Sequence, residues 1–321
     1  MRYTAAFIIL LLFGSCSKEK LSPGQVETIV SGTTNDLYDV YFISDTEGYI
    51  AGGNTFYENI LLKTTDGGRH WAPMDILDND HKTINTLYYY DHRKMYAVGL
   101  DGKVYVNYLN GENVWHLHQN IWWEWMRDIY FYRPDSGIVI TGRSWSYGAI
   151  HKVDSFGQVI RRDTFEFELN DLLVRGDHYL VSGYGAILLS KDKGTTWRHT
   201  NASGDHFIKM TEAGPHTLWA IGQYGTILKS TDDGQSWQKT RNGSNPLKNR
   251  LLFNNIAFRD ADKGIIIGNK GLIMFTNNGG KNWKKLDTFT NEDLNGIFLF
   301  PDKAVITGSK GSIYMLKTSF F

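Results

Sequence analysis

Four stretches of the chain carry the same side chains at the same spacing. Ser190, Asp192, Gly194 and Trp197 are matched by Ser230, Asp232, Gly234 and Trp237, by Thr64, Asp66, Gly68 and Trp71, and by Thr276, Asn278, Gly280 and Trp283. A repeated carboxylate could serve general acid–base chemistry, but this spacing argues otherwise. An Asp two residues after Ser or Thr can accept backbone N–H groups across a tight turn. The following Gly supplies a positive φ, and the Trp can fold back into a core. Asp66, Asp192, Asp232 and Asn278 are therefore expected to be turn staples, packed by Trp71, Trp197, Trp237 and Trp283. Other acids stand in loops, namely Asp78, Asp80, Asp101 and Glu124. Two such carboxylates facing across a cleft could cleave a glycosidic bond. His116 and His118 project from one side of a strand and could begin a metal site. No third ligand accompanies them, so an exposed pair at the edge of a sheet is expected. Neither a metal nor a cofactor is expected. The chain has 1 Cys, Cys16, which rules out an internal disulfide and a Cys-rich zinc site.

The aromatic residues offer recognition instead. Trp122, Trp123 and Trp125 crowd one short link, and Arg143, Trp145 and Tyr147 lie in a loop longer than its counterparts. Tyr184 and Tyr224 occupy equivalent turns. Together these eight residues form a candidate binding face suited to a peptide, a sugar or a partner protein. The alternative is that the Trp side chains fill a core that lacks its own Trp.

These residues must be positioned by an internally repeated fold. A short strand ending in Gly recurs at Gly53, Gly99, Gly142, Gly183, Gly222, Gly268 and Gly308, in steps of 39 to 46 residues. That period fits four-stranded propeller blades and exceeds that of leucine-rich or ankyrin units. Each unit reads as an apolar first strand (Asp39–Phe42, Asp128–Phe131, Asn255–Phe258), the Gly-ended strand, a tight turn, a third strand, the polar hairpin and a Trp-led fourth strand. The second unit is degenerate, with Asn110, Gly111 and Trp115; the third keeps Asp154 and Gly157 but has Val159 where Trp is expected. The seventh unit stops at Phe321 without a fourth strand, and residues 26–30 have no partner of their own. The fold class predicted is all-β: a seven-bladed β-propeller over residues 25–321, closed by the N-terminal strand in the last blade, which removes two open edges. The 321 residues contain 34 Lys+Arg and 34 Asp+Glu, so no net field draws the molecule to nucleic acid.

Residues 1–15 read as a signal peptide: Arg2, then the apolar run Ala5–Phe13, too short to span a bilayer. Phe13, Gly14 and Ser15 lead into Cys16 as in a bacterial lipobox, so Cys16 is expected to carry lipid. A plain secretory signal is the alternative. Residues 16–24 are then the lipidated Cys and a flexible polar tether.

With the repeats and hairpins in hand, the sequence resembles the photosystem II stability/assembly factor-type propellers, a branch of the Asp-box (BNR) repeat proteins. The resemblance covers about Val26 to Thr318 and is strongest from Asp171 to Trp283. It implies a seven-bladed ring whose Asp-box turns lie on the face opposite the functional one. It further implies a non-enzymatic scaffold that holds a protein client or envelope complex, here as a monomeric lipoprotein of a Gram-negative cell envelope, anchored in the outer membrane through Cys16. The alternative implied by the shared repeat is carbohydrate binding or glycoside hydrolysis. Sialidases of this class need an arginine triad, for which Arg143, Arg241 and Arg250 are candidates, but the Arg-Ile-Pro motif is missing. An oxidoreductase lacks support too, because no nucleotide fingerprint joins a strand to a helix.

Overall fold

A computed structural model describes residues 18–22, 24–77, 80–119, 123–154, 158–247 and 249–319. The expected signal peptide, Cys16, Asp78, Trp122 and Gly157 lie outside the described residues. The described strands form seven sheets, each the blade of a propeller and antiparallel but for one added strand. In chain order the blades span residues 36–73, 75–119, 126–165, 169–199, 207–241, 253–285 and 294–317. Blade two gains a fifth strand, Asp75–Leu77, running parallel to Val114–Gln119.

The outermost strand of blade seven is Val26–Ile29, antiparallel to Ile313–Lys317 with Val26 opposite Leu316 and Ile29 opposite Ile313. Further bonds stitch blade seven to blade one, including Asn295 Nδ2 to the Leu37 carbonyl at 3.1 Å and Lys303 Nζ to the Gly67 carbonyl at 2.8 Å. Deleting residues 17–33 should therefore lower the thermal midpoint by roughly 10 °C or more, whereas deleting 17–22 should cost much less. Equal midpoints for the two deletions, measured by calorimetry, would contradict closure by this strand.

The blades bury their middle strands completely, because each is flanked by strands within its sheet and by neighbouring blades on both faces. Gly264–Gly268 and Leu218–Gly222 are buried throughout. The recurring Gly has a steric cause. A Cβ on Gly99, Gly183, Gly268 or Gly308 would meet the backbone oxygen of Thr83, Glu168, Leu252 or Asp293 at 2.0–2.2 Å. The chain entering each inner strand passes directly over that position. In blade one the equivalent residue is Gly52, opposite Leu37, so the repeat sits one residue earlier than Gly53.

The four hairpins are stapled as their spacing predicts. Asp192 Oδ1 accepts the N–H groups of Thr195 and Thr196 at 3.1 and 2.8 Å, and Asp66 Oδ1 accepts those of Arg69 and His70 at 3.0 Å each. Asp232 accepts from Ser236 and Asn278 from Asn282. The Thr196 hydroxyl, together with the Thr195 and Thr196 N–H groups and the Ser190 hydroxyl, holds the Asp192 carboxyl well below the usual range. Its contribution is present at neutral pH and lost as the pH falls through that lowered value. The Trp side chains depart from a uniform burial: Trp237 is buried, while Trp71, Trp197 and Trp283 are half-buried at the seams between blades. Trp115 takes the same role in blade two, fully buried against Tyr49 of blade one. In blade three Val159 packs in its stead beside the core of blades two and three.

Each hairpin leans on the preceding blade. Gly68 approaches Val305, Gly194 approaches Ile138, Gly234 approaches Leu180, and a Cβ on Gly280 would come within 2.0 Å of the Trp219 ring. With φ at 73° as well, Gly280→Ala should cost about 2–4 kcal/mol through overpacking and left-handed strain, read as a lower urea midpoint. An unchanged midpoint would refute the inter-blade contact.

Candidate functional site

The seven inner strands line a central channel, and two partial rings of hydrogen bonds tie blade to blade. In the upper ring an Asn of one blade donates its amide to a carbonyl of the next. Asn85 reaches Met126 at 2.9 Å, Asn170 reaches Phe207 at 2.9 Å, and Asn254 reaches Leu294 at 2.9 Å. In the lower ring carboxylates accept from the next blade's backbone. Asp39 takes the Leu87 N–H at 2.8 Å, Asp128 the Leu172 N–H at 3.0 Å and Asp171 the Met210 N–H at 2.7 Å. The other oxygens are also occupied: by Val40 on Asp39, by Ile129 on Asp128 and by Lys209 Nζ, at 2.6 Å, on Asp171. Lys209 is thus the cation of a deep acidic cluster. Burial opposes its charge, but Asp171, Asp128 and Asp39 overcome that and raise its pKa. Burial lifts the Asp128 carboxyl to about 7 despite Lys209, with Asp171 adding to the rise. It lifts Asp39 as well.

Above these rings the channel opens into a cavity of about 890 Å³, continuous in its lining with a deeper one of about 440 Å³. The larger is lined by Tyr38, Trp125, Arg127, Ser144, Trp145, Glu168, Asn170, His206, Ile208, Gln223, Tyr224, Asn254 and Asn295. Its polar centre is Glu168, buried and paired with Arg127, whose guanidinium stacks 4.8 Å over the Trp125 ring. Glu168 Oε2 also accepts the Trp145 N–H at 2.9 Å. Trp145 has a left-handed backbone conformation (φ 60°) and is 59% exposed at the opening. His206 bonds Gln223 through Nδ1 at 3.2 Å, and burial lowers its pKa despite the nearby Glu168. Another cavity, of about 720 Å³, lies at the closure seam between Thr28–Asn35 and Glu292, and has Tyr314 as its one aromatic lining residue.

The sequence-derived face is thereby divided. Trp125, Trp145 and Tyr224 line the mouth. Tyr184 stands at its edge, 5.5 Å from His206 and 47% exposed. Trp123 is 78% exposed but lies outside the lining. Trp123 thus stands clear of the blade-three core, while Trp125 is half-buried beneath the Arg127 guanidinium. Arg143 is exposed and rests 5.3 Å over Tyr147. Tyr147 itself turns inward: its hydroxyl donates to Glu124 at 3.1 Å and meets Arg162.

The described candidate acids are each engaged by basic residues. Glu124 is buried in blade three, bonded to His151 at 2.9 Å and Thr141 at 2.7 Å and paired with Arg162. Burial alone would raise its pKa; those bonds and charges hold it at about 2. Asp80 pairs with Lys103 at 2.5 Å and Asp101 lies 3.9 Å from Lys82. Arg241 is spent on the backbone carbonyls of Gly225 and Asn249, and Arg250 lies 3.7 Å over Tyr224. His116 and His118 are half-buried, not exposed. Among the described residues no group of three or more His, Cys, Asp or Glu could hold a metal.

What the sequence reading missed is the pair of rings. Asn170–Asp171 and Asn254–Asn255 stand at the same position of their repeats, as do Arg127–Asp128 and Tyr38–Asp39. The in-register polar pair inside an apolar strand was the available signal.

Fold and site define a seven-bladed propeller of stapled hairpins with an open, aromatic-rimmed mouth and a polar channel. Residues 200–274 match the family model described as photosynthesis system II assembly factor YCF48. Over that segment the chain is similar to that family, and beyond it the likeness is one of fold. A solved structure of YCF48 bound to a D1 peptide superposes with a TM-score of 0.72 at 22% identity, covering 94% of this chain and 100% of that one. YCF48 from Cyanidioschyzon merolae gives 0.67 at 13% identity, with 91% and 98% covered. A virginiamycin B lyase from Staphylococcus aureus has the same fold, with a TM-score of 0.72 at 8% identity and 91% and 98% coverage. No curated protein matches the sequence.

Proposed function

We propose that this chain is a non-enzymatic envelope lipoprotein, anchored in the outer membrane through Cys16, whose propeller mouth holds a polypeptide segment of a client protein. The observation that carries this reading is the mouth itself. Trp125, Trp145 and Tyr224 offer apolar faces around an open cavity of about 890 Å³. Asn170 and Asn254 spend their amide nitrogens on the fold, leaving their oxygens as acceptors for peptide N–H groups. A peptide-bound YCF48 structure of the same fold supports the choice of polypeptide. Among the described residues Glu168 is the one carboxylate lining the mouth, and Arg127 pairs with it.

A photo-crosslinking residue in place of Tyr224, in the full-length protein in native membranes, tests the reading. The expected result is a polypeptide adduct that disappears in the Trp145→Ala background. A glycan adduct would transfer the site to carbohydrate recognition, and an adduct insensitive to Trp145→Ala would remove the mouth from the reading.

A further inference from the structure

The tether does not hang free of the ring. The Glu19 N–H donates to the Lys285 carbonyl at 2.9 Å, and the Glu19 carbonyl accepts from Asp287 at 2.9 Å, forming a parallel bridge opposite Leu286. Lys284 Nζ lies 3.6 Å from the Glu19 carboxylate. Leu21 packs on the core shared by blades six and seven. Ser22 then donates to Gln25 at 2.9 Å, and the Gln25 amide reaches the Lys317 carbonyl at 3.3 Å. The described residues of the tether therefore lie on the outer rim of the disc, beside the last strand of blade six.

That rim is cationic. Lys18 and Lys20 flank the bridge, while Lys281, Lys284 and Lys285 belong to the hairpin and strand it joins; the carboxylates in the same two segments are Glu19 and Asp287. Lys18, Lys20, Lys281 and Lys284 are exposed. The rest of the chain offsets this excess, since its overall charge is +0.

We propose that the rim of blade six lies against an anionic lipid leaflet, so that the ring stands on edge with its channel parallel to the membrane. This rests on the reading of Cys16 as the anchor. From Cys16 to Glu19 the chain can span only about 10 Å, which keeps the rim at headgroup level. Lysines held within a Debye length of an anionic surface are attracted to it. Lipid is favoured over an acidic protein because the basic patch is centred on the very point from which the anchored end emerges. In this orientation neither face is covered, and the mouth opens sideways along the membrane.

The test uses full-length protein with vesicles of phosphatidylcholine, with and without phosphatidylglycerol. Asn282→Cys on blade six and, separately, Ile160→Cys on the last strand of blade three carry a fluorophore, and headgroup-labelled lipid is the quencher. Both positions are exposed. The expected result is quenching several-fold greater at Asn282 than at Ile160, with phosphatidylglycerol enlarging the contrast. Exchanging Lys18, Lys20 and Lys281 together for Ser should abolish that enlargement. Equal quenching at both positions on vesicles that still carry the protein would overturn the orientation alone. A contrast indifferent to phosphatidylglycerol would overturn the electrostatic contact. Failure to float with either vesicle, or a second label on a free Cys16, would overturn the anchor and this proposal together.

Discussion

Lys209→Met should destabilise the ring at neutral pH by about 2–4 kcal/mol, and the deficit should shrink on acidification. Lys209 is the cation that Asp39, Asp128 and Asp171 share, and removing one partner of a buried cluster leaves its opposite charges uncompensated. Its side chain keeps 34% of its surface open to the channel, so water offsets part of the penalty and the lower half of the range is favoured. The pH dependence follows from Asp128. Its pKa is raised from 3.8 to about 7 by burial, so the folded state binds its proton more tightly than the unfolded chain does. Stability therefore falls as the pH rises from about 4 to about 7, and it should fall more steeply without Lys209. Urea midpoints at about pH 5 and about pH 7.5 measure the difference. Adding Asp171→Asn to Lys209→Met should recover much of the loss at the higher pH. A variant equally stable at both pH values, or a double variant no better than the single, would show that the channel carboxylates are not held by this lysine.

The ring was legible because it is written in steric necessities that recur. Gly99, Gly183, Gly268 and Gly308 sit under the chain entering each inner strand, where no Cβ fits, and Asp192 and Asp232 close turns that demand their spacing. The closing strand was legible by elimination, since Val26–Ile29 and the last sheet each lacked a partner. The site was less so. A list of loop aromatics does not say which rings turn inward, and Tyr147 did, because Glu124, Arg162, Thr141 and His151 form a buried polar cluster scattered over residues 124–162. Glu124 looked like a surface acid for the same reason: its partners are distant in sequence, so its environment is invisible before the blade folds. The tether read as flexible from its polar composition, yet one backbone bridge at Glu19 fixes it, and backbone pairing leaves no mark on side-chain type.

Trp145→Ala should weaken capture of a client polypeptide about tenfold or more, while Trp123→Ala should change it little. Both rings are exposed, at 59% and 78%, so exposure alone would rank them the other way. The difference is support. Trp145 is held by its N–H on Glu168, which is fixed in turn by Arg127, and Arg127 lies over Trp125; three side chains and a backbone donor set its place at the opening. A backbone fixed before binding has less conformational freedom left to lose when a ligand covers its side chain, which favours Trp145 as the anchor. Trp123 is not part of that lining and would have to be ordered by the partner itself. Trp145→Ala leaves the backbone bond to Glu168 in place, so the fold should be untouched and its urea midpoint unchanged. Affinity is then read by fluorescence anisotropy of a peptide taken from the crosslinked client. Equal losses for the two variants would move the binding surface from the mouth to the blade-three link, and a loss confined to Trp123→Ala would place it there outright.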